Sequence, residues 1–325
     1  MKNSFIYLLS ALALSFFFYS CERKDNPVEE NEEEYVELTL KPKGIDMSIT
    51  PMATRASSSD LYLVMVYKDE ARSGNEYASW LTDNLSSEKI RLLKGKKYVC
   101  QVAYFPNGKE VLADYESGSV APICGMSYAA APKLSDGILY GSKYGFALTL
   151  SGAAKKKGDK SSGSAGDGYY FNDVARYSGE VAIDATNDIT ADINLYLQMF
   201  GLNINVVNFT EGRIRISSPL NYDLGNNDII LTPSSPSVSK VLTYDTCPWF
   251  DDNDFANYKG MTSFVVDYYD VEGKSMTIFE LQGYYIARMT RLNLTLDLNE
   301  ILNDVNAGLN PKVIQGEEWK DIDYE

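Results

Sequence analysis

Histidine is absent from all 325 residues. Its absence removes Ser-His-Asp and Cys-His catalysis and the commonest side-chain ligand of transition metals. Tryptophan (3) and cysteine (4) are scarce. Basic residues are in deficit, with 30 Lys and Arg against 45 Asp and Glu, so the chain carries a formal charge of −15. A surface this acidic disfavours nucleic acid and anionic membrane as partners. No glycine-rich loop stands between a strand and a helix, so no phosphate cradle is expected; glycines 158–168 sit among serines in a linker-like stretch. The run Asp251-Asp252-Asn253-Asp254 is the best oxygen cluster for Ca²⁺, but it lacks the glycine and distal glutamate of an EF-hand loop. The reading from these absences is no enzyme, no catalytic residues, no metal and no cofactor.

The longest apolar stretch, Ile6 to Tyr19, almost unbroken, is shorter than the ~20 residues a spanning helix needs. It follows Lys2 and ends at the small residue Ser20, directly before Cys21. Charge, apolar stretch, small residue and cysteine in that order are what a bacterial lipoprotein signal peptidase reads. Residues 1–20 are therefore expected to be a lipoprotein signal peptide, and Cys21 the lipidated first residue of the mature chain. Residues 21–34 follow as a linker with seven acids, two bases and one Val after the cysteine. Such a stretch buries too little apolar surface to fold and serves as a solvated leash.

The rest is rich in tyrosine (24) and in short alternating runs, a β composition. Val36, Leu38 and Leu40 share a face against Tyr35, Glu37 and Thr39. Leu61–Tyr67 is apolar on both faces, as a central strand would be. Tyr98–Tyr104, Leu139–Tyr140, Phe146–Leu150, Tyr169–Phe171 and Glu180–Ile183 read as further strands. Residues 151–168, rich in Gly, Ser and Lys, read as an inserted loop. Ile193–Val207 gives the longest strand signal, with Gly201 as a bulge inside it. Ile229–Leu231, Val241–Tyr244, Ser263–Tyr269 and Ser275–Leu281 follow, the last two joined by a turn at Asp270–Gly273. Leu292, Leu294, Leu296 and Leu298 alternate cleanly; Asn299–Val305 reads as a short helix, and Val313–Tyr324 has β character. The expected architecture is all-β: an N-terminal sandwich over 35–188 and a C-terminal sandwich over 189–325. Cys100, Cys124 and Cys247 are either three small buried residues or contain one disulfide, with Cys100–Cys124 the closest pair in sequence.

Several of these segments together resemble the fimbrillins of Bacteroidia, the lipoprotein-precursor subunits of type V pili. The acidic stretch after Cys21 resembles the surface-export signal of Bacteroidia lipoproteins. Thr54-Arg55-Ala56, before the Leu61–Tyr67 run, resembles the fimbrillin processing region. Gly95–Asn107 is similar to a family strand ending in an Ala-Asn-Pro-like turn. Leu195–Phe200 resembles the strand opening the second domain, with Gln198 or Met199 where the family usually carries Arg. Arg288–Asn293 is similar to a late Arg-Asn element, and Val313–Trp319 to a C-terminal strand that often contains Trp. The resemblance implies two transthyretin-like β-sandwich domains, cleavage between Arg55 and Ala56, and assembly by strand exchange. Val313, Ile314 and Trp319 then mark the donor strand. The implied partners are other fimbrial subunits, outer-membrane lipid through acylated Cys21, and host or bacterial surface ligands, at the cell surface in a fimbrium. A second function class uses the same features differently: a glycan-binding surface lipoprotein that does not polymerise, with Trp80 and Trp249 as stacking platforms. Arg288 and Arg291 are candidates for gripping a carboxylate or glycan, or for capping strand ends.

Overall fold

In the first half of the chain one long sheet curls until its two wings face each other. The computed structural model describes residues 33–44, 59–72, 74–112, 134, 137–140, 173–217, 228–244, 254–303 and, as backbone, 314–318. The compact unit is Tyr35–Glu325. Cys21, Arg55, Ala56, Cys124, Cys247, Trp249, Val313 and Trp319 lie outside the described residues, as do the expected strands Phe146–Leu150 and Tyr169–Phe171 and the loop 151–168.

The eight strands of that sheet are, in spatial order, β4 (Ile90–Leu93), β1 (Tyr35–Gly44), β8 (Ile189–Leu197), β7 (Tyr177–Asp184), β5 (Lys97–Phe105), β2 (Leu61–Lys68), β3 (Glu76–Thr82) and β6 (Leu139–Tyr140). The fold-over happens at β8. Its residues Ile189–Leu195 run parallel to β1, whereas only Tyr196 and Leu197 pair with β7. Gly179 of β7 lies at this corner: a Cβ there would stand 1.9 Å from the backbone oxygen of Asn194. A glycine inside a strand marks such a close backbone approach. One core then collects side chains from both wings, among them Leu38, Leu40, Ile90, Ile193 and Leu195 from one and Val64, Val66, Trp80, Tyr98 and Val102 from the other. The central strands β2 and β5 are apolar on both faces because a second buried cluster, including Leu63, Met65, Ala103 and Phe105, packs on their reverse side.

In the second half two four-stranded sheets enclose a separate core. One runs β11 (Ile229–Leu231), β10 (Arg213–Ser217), β13 (Lys259–Tyr269), β14 (Ser275–Ala287); the other runs β12 (Ser237–Thr243), β9 (Met199–Val207), β15 (Thr290–Asp297), β16 (Ile314–Glu318). Parallel register sets Leu292, Leu294 and Leu296 of β15 beside Leu202, Ile204 and Val206 of β9, so two alternating patterns make one apolar face. The expected turn closes β13–β14: Gly273 N–H donates to Asp270 O, and Gly273 has φ +86°. A helix, α1 (Leu298–Asn303), follows β15. The protein is thus an all-β sandwich fold.

Two local expectations change, and an open alternative is decided for Cys100. The run Ile193–Val207 is two strands, broken at fully buried Gln198. Gln198 N–H donates to Arg176 O, and its Nε2 donates to Tyr196 O and Phe255 O, so the chain leaves the ladder where the buried amide nitrogens find these carbonyls. The change of sheet therefore falls at Gln198, and β8, which begins where the second domain was expected, is held between β1 and β7. Gly201 is no bulge. It sits in regular register opposite Val241 and Arg291, and a Cβ would press on the Arg291 side chain at 3.2 Å. Cys100 is a free, fully buried thiol rather than half of a disulfide, and burial pushes its pKa up.

Candidate functional site

Strand β1 and the slot it fills form the candidate site. Alternation alone makes β1 amphipathic: Val36, Leu38 and Leu40 are buried at 5%, 0% and 0% exposure, while Glu37 and Lys41 face water. β1 lies inside the sheet, between β4 and β8. Its first half pairs antiparallel with β4, from Tyr35↔Leu93 to Leu38↔Ile90. Its second half pairs parallel with β8, from Leu38↔Ile189 to Gly44↔Leu195. Leu38 is paired on both sides. Ile90 and Leu92 from β4, and Ile193 and Leu195 from β8, wall the slot, all at 0% exposure.

Polar contacts set the register from outside. Glu37 N–H donates to Asp188 Oδ1 at 2.8 Å. Lys89 Nζ meets Glu37 Oε2 at 2.6 Å, and Lys43 Nζ meets Asp192 Oδ2 at 2.5 Å. The hydrogen bond to Glu37 raises the Lys89 pKa. Both pairs are solvent-exposed and screened by salt, so they select register more than they hold the strand. Tyr35 opens the strand with its ring 4.8 Å from the Arg91 guanidinium.

Residues 45–58, which contain Arg55, connect β1 to the next described segment. The far end of that connection is pinned at Asp60, a buried carboxylate. Asp60 Oδ1 accepts from Asn107 N–H at 2.9 Å and Oδ2 from Tyr104 Oη at 3.2 Å. Tyr62 stacks on Tyr104 at 4.7 Å, and burial, with Asp60 nearby, pushes the Tyr62 hydroxyl up to about 12.

The other sequence-derived candidates fall elsewhere. Trp80 is 1% exposed in the core, so it offers no face to a sugar. The Arg288 guanidinium is used on backbone: Nε donates to Ala256 O and Nη1 to Leu197 O, and the group lies 5.2 Å from the Tyr196 ring. It caps strand ends at the β8–β9 junction. Asp254 accepts from Asn257 N–H and Nδ2, and among the described residues no group of three His, Cys, Asp or Glu is placed to hold a metal. Ile314 pairs with Asn293 on β15, so the backbone of Ile314–Glu318 forms an edge strand of the second half. Sequence reasoning missed β3, β4 and β10. Ile90-Arg91-Leu92-Leu93 alternates for only four residues, too few for periodicity to stand out.

No family model matches the chain, and no curated protein matches it. Solved structures do. A proposed polysaccharide-binding protein from Bacteroides thetaiotaomicron aligns at 12% identity over 82% of this chain and 93% of its own, with a TM-score of 0.38. The tip fimbrial protein Mfa3 from Porphyromonas gingivalis, with a C-terminal truncation, aligns at 9% identity over 81% and 94%, TM-score 0.34. A proposed adhesin from Bacteroides ovatus aligns at 13% identity over 81% and 87%, TM-score 0.36. All three scores lie below 0.5, and the function of this chain is read from its own residues.

Proposed function

We propose that this chain is a cell-surface fimbrial subunit or fimbria-associated adhesin, exported as a lipoprotein through Cys21 and anchored in the outer membrane. Cleavage between Arg55 and Ala56 frees β1, and a strand of another subunit takes its place. One observation carries the reading. An internal strand, buried along its apolar face and paired with β4 over its first half and β8 over its second, is followed along the chain by the connection that holds Arg55. Once that connection is cut, β1 stays by non-covalent contact alone. Burying Val36, Leu38 and Leu40 is worth roughly 5–9 kcal/mol before entropy, at about 1.5–3 kcal/mol each. An incoming strand of the same spacing recovers that burial together with the ladder hydrogen bonds, which is strand addition.

The C-terminal segment with Val313, Ile314 and Trp319 is the proposed donor, supplied by a fimbrial subunit of the same or a related kind; it does not repeat the Val36/Leu38/Leu40 spacing, so it takes over the ladder of β1 and only part of its burial. It must first leave β15. The division into 35–188 and 189–325 carries over as two functional halves, with β8 serving the slot of the first.

Tryptic treatment of the full precursor is expected to cut after Arg55 and to give oligomers that resist SDS on mild heating. Arg55→Ala should remain monomeric under the same treatment. Oligomers that form equally well from Arg55→Ala would remove Arg55 from the mechanism; cleaved protein that keeps β1 and stays monomeric would remove the exchange itself. Lipidation is tested separately. The intact mass of membrane-extracted protein should exceed that of a chain starting at Cys21 by its acyl groups, and Cys21→Ser should lose this excess. An unchanged lipid-bearing mass would rule Cys21 out.

A further inference from the structure

Strand β4 has β1 as its only strand neighbour among the described residues. Loss of β1 should therefore leave four residues with no ladder on either side, and one wall of the slot should fall away. The outer edge of β4 shows what opposes this. Arg91 N–H donates to Tyr140 Oη at 2.8 Å, and Tyr77 Oη donates to Arg91 O at 2.8 Å. Leu93 N–H donates to Tyr98 Oη at 3.0 Å. Three tyrosine hydroxyls thus bond the backbone groups that an adjacent strand would otherwise take. All three come from the opposite wing: Tyr77 from β3, Tyr98 from β5 and Tyr140 from β6. Their rings pack together, with Tyr77 at 4.9 Å from Tyr98 and 5.6 Å from Tyr140. The ends of β4 are tied as well, by Thr82 Oγ1 to Glu88 Oε1 at 2.7 Å before it and Gly95 N–H to Ala185 O at 2.7 Å after it.

A strand edge left bare attracts other chains. Here the edge that faces away from the slot is closed by side chains, while the edge that faces β1 is closed only by β1. We infer that Tyr77, Tyr98 and Tyr140 hold β4 in place independently of β1, so that the slot keeps both walls when empty and holds most tightly an extended peptide with the pattern of β1, an aromatic residue at the Tyr35 position and apolar residues at the second, fourth and sixth positions. The aromatic requirement comes from Arg91. Its guanidinium lies 4.8 Å from the Tyr35 ring and 5.9 Å from the Tyr140 ring, and departure of β1 removes one of the two aromatic faces. The inference rests on the strand-exchange reading for its use, but the tyrosine clamp exists whether or not exchange occurs.

The test uses the full chain with a site-specific protease sequence built into 45–58. After nicking, the N-terminal fragment that carries β1 is washed away in mild urea, and a labelled peptide of residues 35–44 is offered in excess. Nicked wild type should take up one peptide per chain. The triple variant Tyr77→Phe, Tyr98→Phe, Tyr140→Phe keeps every ring and should bind the peptide at least tenfold more weakly, while the un-nicked triple variant still melts cooperatively. A peptide with Ala in place of Tyr35 should also bind several-fold more weakly to the wild type. If the nicked wild type takes up no peptide, the exchange reading fails. If it does, and the triple variant binds equally well, the clamp fails and exchange stands. Amide hydrogen exchange of the un-nicked chain decides the clamp by itself, also where the triple variant does not fold. Tyr140→Phe should speed exchange at Arg91 more than tenfold and leave Leu93 unchanged; Tyr98→Phe should do the reverse. Uniform rates at both amides across these variants would overturn the clamp.

Discussion

Leu38→Asp is expected to abolish the folded first half. Leu38 is fully buried and is the one β1 residue paired with β4 and β8 at once, opposite Ile90 and Ile189. The substitution removes about 1.5–3 kcal/mol of apolar burial. It also leaves a carboxylate without a partner among Val36, Leu40 and Ile90, which costs several kcal/mol more or forces the acid to stay protonated. The sum is of the order of the whole stability of a domain, about 5–15 kcal/mol. Thermal unfolding should show the transition of the first half lost. Glu37→Gln, on the exposed face of the same strand, should change stability by no more than about 0.5 kcal/mol. A Leu38→Asp protein that melts within a few degrees of the parent would mean that β1 is not part of the precursor core, and the proposed exchange would have nothing to displace.

Gly179→Ala is expected to open the corner where the sheet folds over. The added Cβ would meet Asn194 O at 1.9 Å and Asn194 C at 3.0 Å. Both are backbone atoms of β8, so relief requires β7 and β8 to move apart. Overpacking in a core costs about 1–3 kcal/mol when side chains can shift. A backbone obstacle should cost about 3 kcal/mol or more. The damage should reach the slot, because β8 carries the ladder to β1 immediately beyond this point. Gly273→Ala is the matched control. Its φ of +86° makes a side chain unfavourable, but nothing lies within 4 Å of the new Cβ. It should cost only about 1 kcal/mol, the penalty of the left-handed conformation. Urea unfolding of the two variants separates the cases; equal losses would show that the corner does not need Gly179.

The class of the fold was legible because alternation reports a half-buried strand directly. Val36/Leu38/Leu40 and Leu292/Leu294/Leu296 are buried on the face their spacing indicates. The double-faced apolarity of Leu61–Tyr67 likewise marked a strand covered on both sides. The turn at Asp270–Gly273 was legible because its glycine supplies a conformation few other residues adopt. The site was legible only in part. β1 could be read, but its wall β4 could not, since four residues hold too little pattern. The break at Gln198 was missed because, in a run that also holds Asn194, Asn203 and Asn205, one more polar residue looks like an outward-facing strand position. Its burial depends on the carbonyls of Tyr196 and Phe255, the second of which lies 57 residues away.

By itself the sequence determined most of the strands and which face of each is apolar. These are local properties, set by side-chain period and composition. Tertiary structure alone decided who pairs with whom. Glu37 and Asp188 meet across 151 residues, and nothing in the alternation of either segment specifies that β1 lies inside the sheet or runs parallel to β8. Periodicity defines a face, whereas a neighbour is chosen by the packing of the whole core. That choice buried Trp80, turned Arg288 onto backbone carbonyls, and brought three tyrosines from three strands to the edge of a fourth.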